Sequence, residues 1–202
     1  NSALGFYPDG TIDFYLKAKL VPMVERVPFV HALSRMDLFD WVDWNEFAMF
    51  GRGRRTDMFD LDGHSVPALI CYDSVYPDWV RRFVDQGAAF LVVITNDGWW
   101  GHTSGHIQHY EYARLRAVET GRTVLRSANN GLSGVIRANG DIAVKTEYWT
   151  RDRFTYSVPV YEGKTFYVRY GDWIGWICLL LSAFSLVLIR LHPGRPGSVR
   201  PD

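Results

Sequence analysis

The chain of 202 residues carries 22 basic and 22 acidic side chains, so its formal net charge is zero at pH 7. That balance argues against a protein that binds nucleic acid through a basic surface, and an aromatic content of 15% argues against a disordered chain. The length suits one large domain, or one domain with an appendage.

The first fifty residues hold two features of interest. Lys17 and Lys19 alternate with apolar residues, a pattern that places both on one face of an extended segment. Taken alone, such a pair is more typical of surface lysines. The segment Phe29–Phe50 mixes aromatic with acidic residues. It is equally consistent with a lid that touches lipid and with an amphipathic helix packed on a sheet.

The middle of the chain alternates apolar runs with helical segments. Strands are predicted at Val66–Cys71, Ala88–Thr95, Thr123–Ala128, Leu132–Arg137 and Asp141–Lys145, and helices at Pro77–Gln86 and His106–Thr120. Asn139 and Gly140 form the strongest short hairpin signal. This order of elements predicts an α/β domain with a mixed sheet.

Cys71 is a candidate nucleophile because it ends a predicted buried strand. Open α/β sheets place their chemistry at the carboxyl ends of their strands, where a side chain is exposed at the edge of a rigid scaffold. A free thiol is mostly protonated at neutral pH, so it requires a base or a nearby cation to become a thiolate. The other cysteine, Cys178, lies in a long apolar run, and a disulfide between the two is not expected.

The loop Asn96–Gly105 and the helix after it carry further candidates. Trp99 and Trp100 are consistent with lining a substrate pocket, and packing within the loop is the alternative. Three histidines have a spacing that some zinc sites use: His102, His106 and His109. Without an acidic or thiol ligand beside them they do not predict a metal site, and no other cofactor is expected. His109 is instead expected to have a structural role near the start of the loop.

The run Trp173–Ile189 contains no charged residue. With the next two residues it forms a helix of about 19 residues and roughly 28 Å, which spans the hydrocarbon core of a bilayer. A buried core helix is the alternative, although core helices seldom run this long without a charge. Arg195 and Arg200 follow the run, so the positive-inside rule predicts a cytoplasmic tail at 192–202 and an extracytoplasmic location for the residues before the helix.

Five blocks of the sequence, taken in order, resemble a known family. They are Lys17–Pro28, Ile70–Asp73 with Pro77, Thr95–Gly101 with Gln108 and His109, Ala113–Glu119, and Arg126–Gly131. This pattern is similar to the nitrilase, or carbon–nitrogen hydrolase, superfamily, and the C-terminal apolar run favours its apolipoprotein N-acyltransferase branch. The resemblance implies a four-layer αββα sandwich, of which residues 1–168 form a part, followed by a transmembrane helix at 173–191.

The resemblance also implies roles for individual side chains. Cys71 stands at the position of the nucleophile, and Lys17 at that of the lysine that stabilises the oxyanion. Glu25 stands at the position of a supporting carboxylate. Asp73 stands where many members have a glutamate, and we expect a supporting role for it. The general-base glutamate of the family would lie upstream of Asn1, so we expect a carboxyl-terminal fragment that is inactive alone.

The function that the resemblance implies is acyl transfer in lipoprotein maturation. A fatty acyl chain passes from a membrane phospholipid, through a thioester on Cys71, to the α-amino group of the diacylglyceryl-cysteine that begins an apolipoprotein. The expected location is the bacterial inner membrane, with the catalytic domain on its periplasmic side and no nucleic-acid partner. Two alternatives stay open: a membrane-tethered amidase or nitrilase that passes the acyl group to water, and a non-catalytic membrane-anchored module.

Overall fold

The computed structural model describes residues 1–30, 35 and 50–191. The interpretation of Phe29–Phe50 as a lid or amphipathic helix falls almost wholly outside these residues, and so does the predicted tail at 192–202. The chain divides into two compact units, Asn1–Arg169 and a second that begins at Tyr170.

The first unit contains nine strands among its described residues. They are β1 (Ser2–Phe6), β2 (Ile12–Leu16), β3 (Phe59–Leu61), β4 (His64–Val66), β5 (Ala68–Ile70), β6 (Leu91–Asn96), β7 (Val124–Asn129), β8 (Gly134–Ile136) and β9 (Ile142–Lys145). Two helices lie between the strands of the main sheet: α1 (Pro77–Asp85) and α2 (Gly105–Thr120). A short helix, α3 (Phe166–Tyr170), follows the last strand.

The main sheet has the strand order β5-β6-β7-β8-β9. Its first three strands are parallel and its last three are antiparallel, which confirms the predicted mixed sheet. The strand predicted from Ala88 begins only at Leu91, because the backbone N–H groups of Ala88 and Ala89 bond to carbonyls outside the sheet. The predicted helices differ from α1 and α2 by a single residue.

Two hairpins lie outside the predicted elements. Strands β1 and β2 pair antiparallel across a turn at Asp9 and Gly10, and β3 and β4 pair across Asp62 and Gly63. In the second turn both central residues have positive φ, 53° and 79°, as a two-residue hairpin turn of type I′ requires. An Asp-Gly pair is a recognised signal for such turns, so both hairpins were within reach of the sequence.

The apolar core lies between the main sheet, α1, α2 and the β1–β2 hairpin. Its members include Leu69, Val80, Phe83, Leu91, Val93, Ala113, Ala117, Val124 and Ile136. Tyr15 of β2 joins this core, with its ring edge-on to Phe83 at 5.9 Å. The other side of the sheet is covered as well, since Val92 and Leu125 pack on a second cluster around Phe90. Covering both faces explains why β6 is apolar at consecutive positions.

The second unit contains the helix α4 (Trp173–Leu191), whose bounds match the predicted span. Its 19 residues have a mean hydropathy of 2.2, so the helix is long and apolar enough to cross a membrane. None of its side chains is buried.

Candidate active site

Cys71 lies directly after β5 and begins a short 3-10 turn that ends at Val75. Its φ of 48° is in the left-handed region, which costs a residue with a side chain roughly 1–2 kcal/mol. The surrounding hydrogen bonds hold it there: the Ser74 hydroxyl donates to the Cys71 carbonyl at 2.8 Å, and the Ile70 N–H donates to a carboxylate oxygen of Asp73 at 3.1 Å. The thiol is half-buried and forms no disulfide.

Asp73 fixes this turn to the segment that follows β2. One carboxylate oxygen accepts the backbone N–H groups of Ala18 and Lys19 at 3.1 and 2.7 Å. The other accepts the Tyr15 hydroxyl at 2.9 Å, in addition to the Ile70 N–H. Burial raises the pKa of Asp73 above its usual range, and these hydrogen bonds oppose the rise. The structure therefore places Asp73 behind the turn, as a group that acts through the backbone.

Lys17 and Glu25 form a buried ion pair. The Lys17 Nζ lies 2.7 and 2.8 Å from the two carboxylate oxygens of Glu25, and only 1% of Lys17 is exposed. Glu25 also accepts the Val21 N–H at 2.8 Å and the Asn1 side-chain amide at 2.6 Å. With four donated hydrogen bonds, the Glu25 carboxylate is occupied in holding the lysine.

A cavity of about 310 Å³ brings these groups together. Its lining includes Lys17, Glu25, Cys71, Asn96 and Trp99. The exposed ring of Trp99 stands at the cavity, whereas Trp100 is absent from the lining and packs against the backbone of Gly105 at the start of α2. The structure thus unites three of the four predicted catalytic-site residues with one of the two tryptophans.

A buried polar network contacts the backbone of the Cys71 turn. His109 of α2 places Nε2 3.3 Å from the Cys71 carbonyl oxygen and Nδ1 3.0 Å from Asp97 Oδ1. Nδ1 also lies 3.2 Å from Arg126 Nη2, so His109 stands between a carboxylate acceptor and a guanidinium donor. His109 was expected to have a structural role near the start of the loop, and its contact with Asp97 fits that role.

Arg126 completes the network. Its Nη2 donates to the other Asp97 oxygen at 2.6 Å, and its Nε donates to the Leu132 carbonyl at 3.0 Å. Burial acts to raise the pKa of Asp97, but the hydrogen bond from His109 and the charge of Arg126 hold that pKa below its usual range. Sequence reasoning missed Arg126 as a site residue. Its signal was a charged residue inside the apolar strand β7, which requires a buried partner.

The other two histidines have different surroundings. His106 stacks on Tyr148 with ring centroids 3.9 Å apart, and His102 meets the same ring edge-on at 6.1 Å. Among residues 1–30, 35 and 50–191, no three His, Cys, Asp or Glu side chains are grouped as metal ligands.

Lys19 does not share the Cys71 cavity. Its Nζ lies 5.0 Å from the Tyr76 ring centre and 5.3 Å from that of Trp79, and it lines a separate cavity. The prediction that Lys17 and Lys19 share one face is wrong, because β2 ends at Leu16 and strand alternation does not continue through the lysines.

Known proteins resemble this chain in sequence and in fold. Apolipoprotein N-acyltransferase of Thermotoga maritima is 32% identical over 183 residues, covering 90% of this chain and 35% of the relative. The enzyme of the same name from Chlorobaculum tepidum is 34% identical over 190 residues, covering 89% and 34%. The chain thus spans about a third of the length of these relatives. The resemblance drawn from the motifs is confirmed.

The crystal structure of an amidase from Nesterenkonia sp. superposes with a TM-score of 0.53 at 19% identity. The match covers 85% of this chain and 57% of the amidase. Likeness at this identity concerns the fold, and together with the mixed sheet it confirms the predicted partial nitrilase-like sandwich. The family model described as carbon-nitrogen hydrolase matches residues 1–161. With most of its length matched, the chain belongs to the carbon–nitrogen hydrolase family.

Proposed function

We propose that the full-length protein containing these residues is a membrane acyltransferase that acylates the amino terminus of apolipoproteins. The observation that carries the proposal is the cavity in which Cys71, in a left-handed backbone conformation, faces the buried Lys17–Glu25 pair. The names of the relatives at 32–34% identity support the acyl-transfer chemistry for this site.

The first step forms a thioester. The Cys71 thiol loses its proton to a carboxylate outside the present sequence, and the thiolate attacks the carbonyl carbon of a phospholipid acyl ester. The Lys17 ammonium stabilises the negative charge on the tetrahedral oxygen. The C–S bond remains, the ester C–O bond breaks, and the lysophospholipid oxygen takes the proton that the carboxylate held.

Glu25 serves this step by positioning the cation. A buried ammonium without a partner would be costly, and the two short bonds to Glu25 fix the direction of the Lys17 side chain. Because four hydrogen bonds already occupy its oxygens, we assign Glu25 a supporting role and not that of the general base.

The second step transfers the acyl group to an amine. The unprotonated α-amino group of a diacylglyceryl-cysteine attacks the thioester carbonyl. The C–N bond forms, the C–S bond breaks, and the carboxylate that was freed in the first step takes the proton from the nitrogen and returns it to the Cys71 thiolate. Kinetics of the ping-pong type follow from this order.

Both substrates are lipids that lie in the membrane, so an enzyme that acts on them benefits from a membrane anchor such as α4. We propose that α4 crosses the bacterial inner membrane and holds residues 1–169 on the periplasmic side, where lipid and lipoprotein meet. The mean hydropathy of 2.2 and the exposure of every α4 side chain support this arrangement.

The acceptor distinguishes this proposal from hydrolysis. Full-length protein in phospholipid vesicles is given a labelled acyl donor with a synthetic diacylglyceryl-cysteine peptide, and the Cys71→Ala variant is the control. We expect N-acyl peptide from the wild type and none from the control. Release of free fatty acid at the same rate with or without peptide would instead identify a hydrolase.

A further inference from the structure

A second cavity, of about 260 Å³, is separate from the Cys71 cavity and is lined by three cations. They are Lys19, Arg26 and Arg52. Among the residues that the structure describes, the rest of the lining is apolar except for Tyr76 and includes no carboxylate. Within the described part of the chain, none of the three cations forms an ion pair.

The three cations are held in different ways. Lys19 is half-buried and extends over the rings of Tyr76 and Trp79. Arg52 donates from Nε to the Ala18 carbonyl at 3.0 Å, which anchors its guanidinium at the cavity. Arg26 is held by its backbone, since its N–H donates to the Val21 carbonyl at 3.3 Å. The basic wall is therefore built on anchored elements.

Among the described residues, the two acids whose charges act on Lys19 are Asp73 and Asp78, and both are engaged by other groups. Asp73 is buried and accepts four hydrogen bonds from other groups. Asp78 is paired with Arg81 and Arg82 at 2.9 and 2.8 Å. Burial and the like charges of Arg52 and Arg82 lower the pKa of Lys19, and the charges of Asp78 and Asp73 oppose this only in part.

We propose that the cavity lined by Lys19, Arg26 and Arg52 binds a phosphate group, that of the phospholipid acyl donor. This subsite rests on the proposed acyl transfer and names how the donor is recognised. Arginine and lysine are the side chains that bind phosphate oxygens through charge-assisted hydrogen bonds. Asp73 bonds the backbone N–H of Lys19 and that of the residue before Cys71, so a donor with its phosphate at Lys19 is held close to the turn that carries the nucleophile.

The neighbouring elements keep the two cavities in a fixed relation. Asp73 accepts the backbone N–H of Lys19 and also that of Ile70, the residue before the nucleophile. Tyr76, whose N–H donates to the Asp73 carbonyl, forms part of the wall. One carboxylate thus connects the proposed phosphate subsite to the turn that carries Cys71.

The test compares two donors that differ only by the phosphate. Full-length protein in detergent micelles is acylated at Cys71 by a phosphatidic acid or by the diacylglycerol with the same chains. In Lys19→Gln we expect kcat/KM for the phospholipid, relative to the diacylglycerol, to fall about tenfold, as for loss of a hydrogen bond to a charged group. Arg52→Gln, an exposed position, serves if the first variant does not fold.

The matched control is Arg55→Gln, which removes an exposed arginine paired with Asp57 and outside the cavity lining. Its donor ratio is expected to equal that of the wild type. An equal loss for both donors in Lys19→Gln, or no loss for either, would overturn the phosphate subsite while leaving the acyl transfer intact.

Adding inorganic phosphate shows whether the cavity binds free phosphate or only a lipid headgroup. It also tests the subsite separately from the proposed acyl transfer. Competition by inorganic phosphate against the phospholipid, weaker in Lys19→Gln, supports the subsite and shows that it also accepts the free anion. A changed donor ratio without competition assigns the subsite to the lipid headgroup. If the wild type acylates Cys71 from neither donor, the proposed function fails. The subsite is then decided by ³¹P line broadening of added phosphate: broadening that Lys19→Gln abolishes retains an anion site, and no broadening overturns it.

Discussion

Lys17 and Lys19 are two residues apart, and the structure gives them opposite surroundings. Lys17 is 1% exposed and donates hydrogen bonds to both carboxylate oxygens of Glu25, and it lines the same cavity as Cys71. Lys19 is half-buried over two aromatic rings, in a cavity whose described lining includes two other cations and no carboxylate. Lys17, paired with a carboxylate, is fixed in position and suited to stabilise the transient negative charge of an oxyanion. The cluster around Lys19 is suited to bind an anion that carries a permanent charge, such as a phosphate.

The largest expected effect follows from removing Lys17, the lysine that is paired with Glu25. Lys17→Ala should lower kcat for acylation of Cys71 by a neutral p-nitrophenyl ester about 10²–10³-fold, because an oxyanion donor is lost. Lys19→Ala should lower the same rate by much less. Single-turnover kinetics on both full-length variants, with melting temperatures alongside, would measure this. Comparable losses in the two variants would contradict the assignment of the oxyanion to Lys17.

The next effect concerns Asp73, which joins the Cys71 turn to the backbone of Lys19. Asp73→Ala leaves four donors without their acceptor, so we expect a loss of about 3 kcal/mol in the free energy of unfolding, with ~1–3 kcal/mol for each buried unsatisfied group and partial relief by water. Denaturant unfolding of the full-length protein in detergent would measure it. Asp78→Ala, which removes an exposed carboxylate, is the matched control and should cost less than about 1 kcal/mol. Equal stability losses would refute the role of Asp73.

Replacing Asp97 should also lower the free energy of unfolding, and this loss should depend on pH. Its lowered pKa means that the charged form stabilises the fold above the unfolded value of 3.8, and that this stability is lost as the pH falls through the folded pKa. Asp97→Asn should unfold about 2 kcal/mol more easily at pH 7, because bonds to a charged acceptor become weaker. The difference in melting temperature between wild type and variant should shrink below about pH 4. A constant difference would contradict the network.

The smallest effect tests the mouth of the Cys71 cavity. Trp99 lines this cavity with 76% of its surface exposed, and Trp100 packs on Gly105 instead. Trp99→Ala should raise KM for the acyl donor a few-fold, as for one partly buried aromatic contact of about 1 kcal/mol. Trp100→Ala should leave KM near the wild-type value and lower the melting temperature. Kinetics that reverse this order would place the substrate elsewhere.

The regular elements of the chain could be predicted, since their signals are local. Helix α1 has a proline at its first residue, α2 ends at Gly121 in a left-handed conformation, and α4 is a long uncharged run. The hairpins at Asp9–Gly10 and Asp62–Gly63 carried a local signal too. The strands of these hairpins are only three to five residues long, so the alternation of apolar and polar residues that would support the turn signal is short.

The site could be predicted only in part, because its remaining features depend on contacts distant in sequence. Cys71, Lys17 and Glu25 are recognisable from motif positions, but the pairing of Lys17 with Glu25 requires the chain to turn back between them. The separation of Lys19 from Lys17 follows from the end of β2, and no pattern in the alternating residues marks that point. The buried contacts of Arg126 join residues 29 positions apart.

The most direct measurement of the central claim is mass spectrometry of the Cys71 peptide from full-length protein purified from membranes without reductant exchange. We predict a fatty-acyl adduct on Cys71 that hydroxylamine removes, that is absent from Cys71→Ala, and that disappears when a diacylglyceryl-cysteine peptide is added. An unmodified Cys71 thiol in protein that has been given phospholipid would contradict the account.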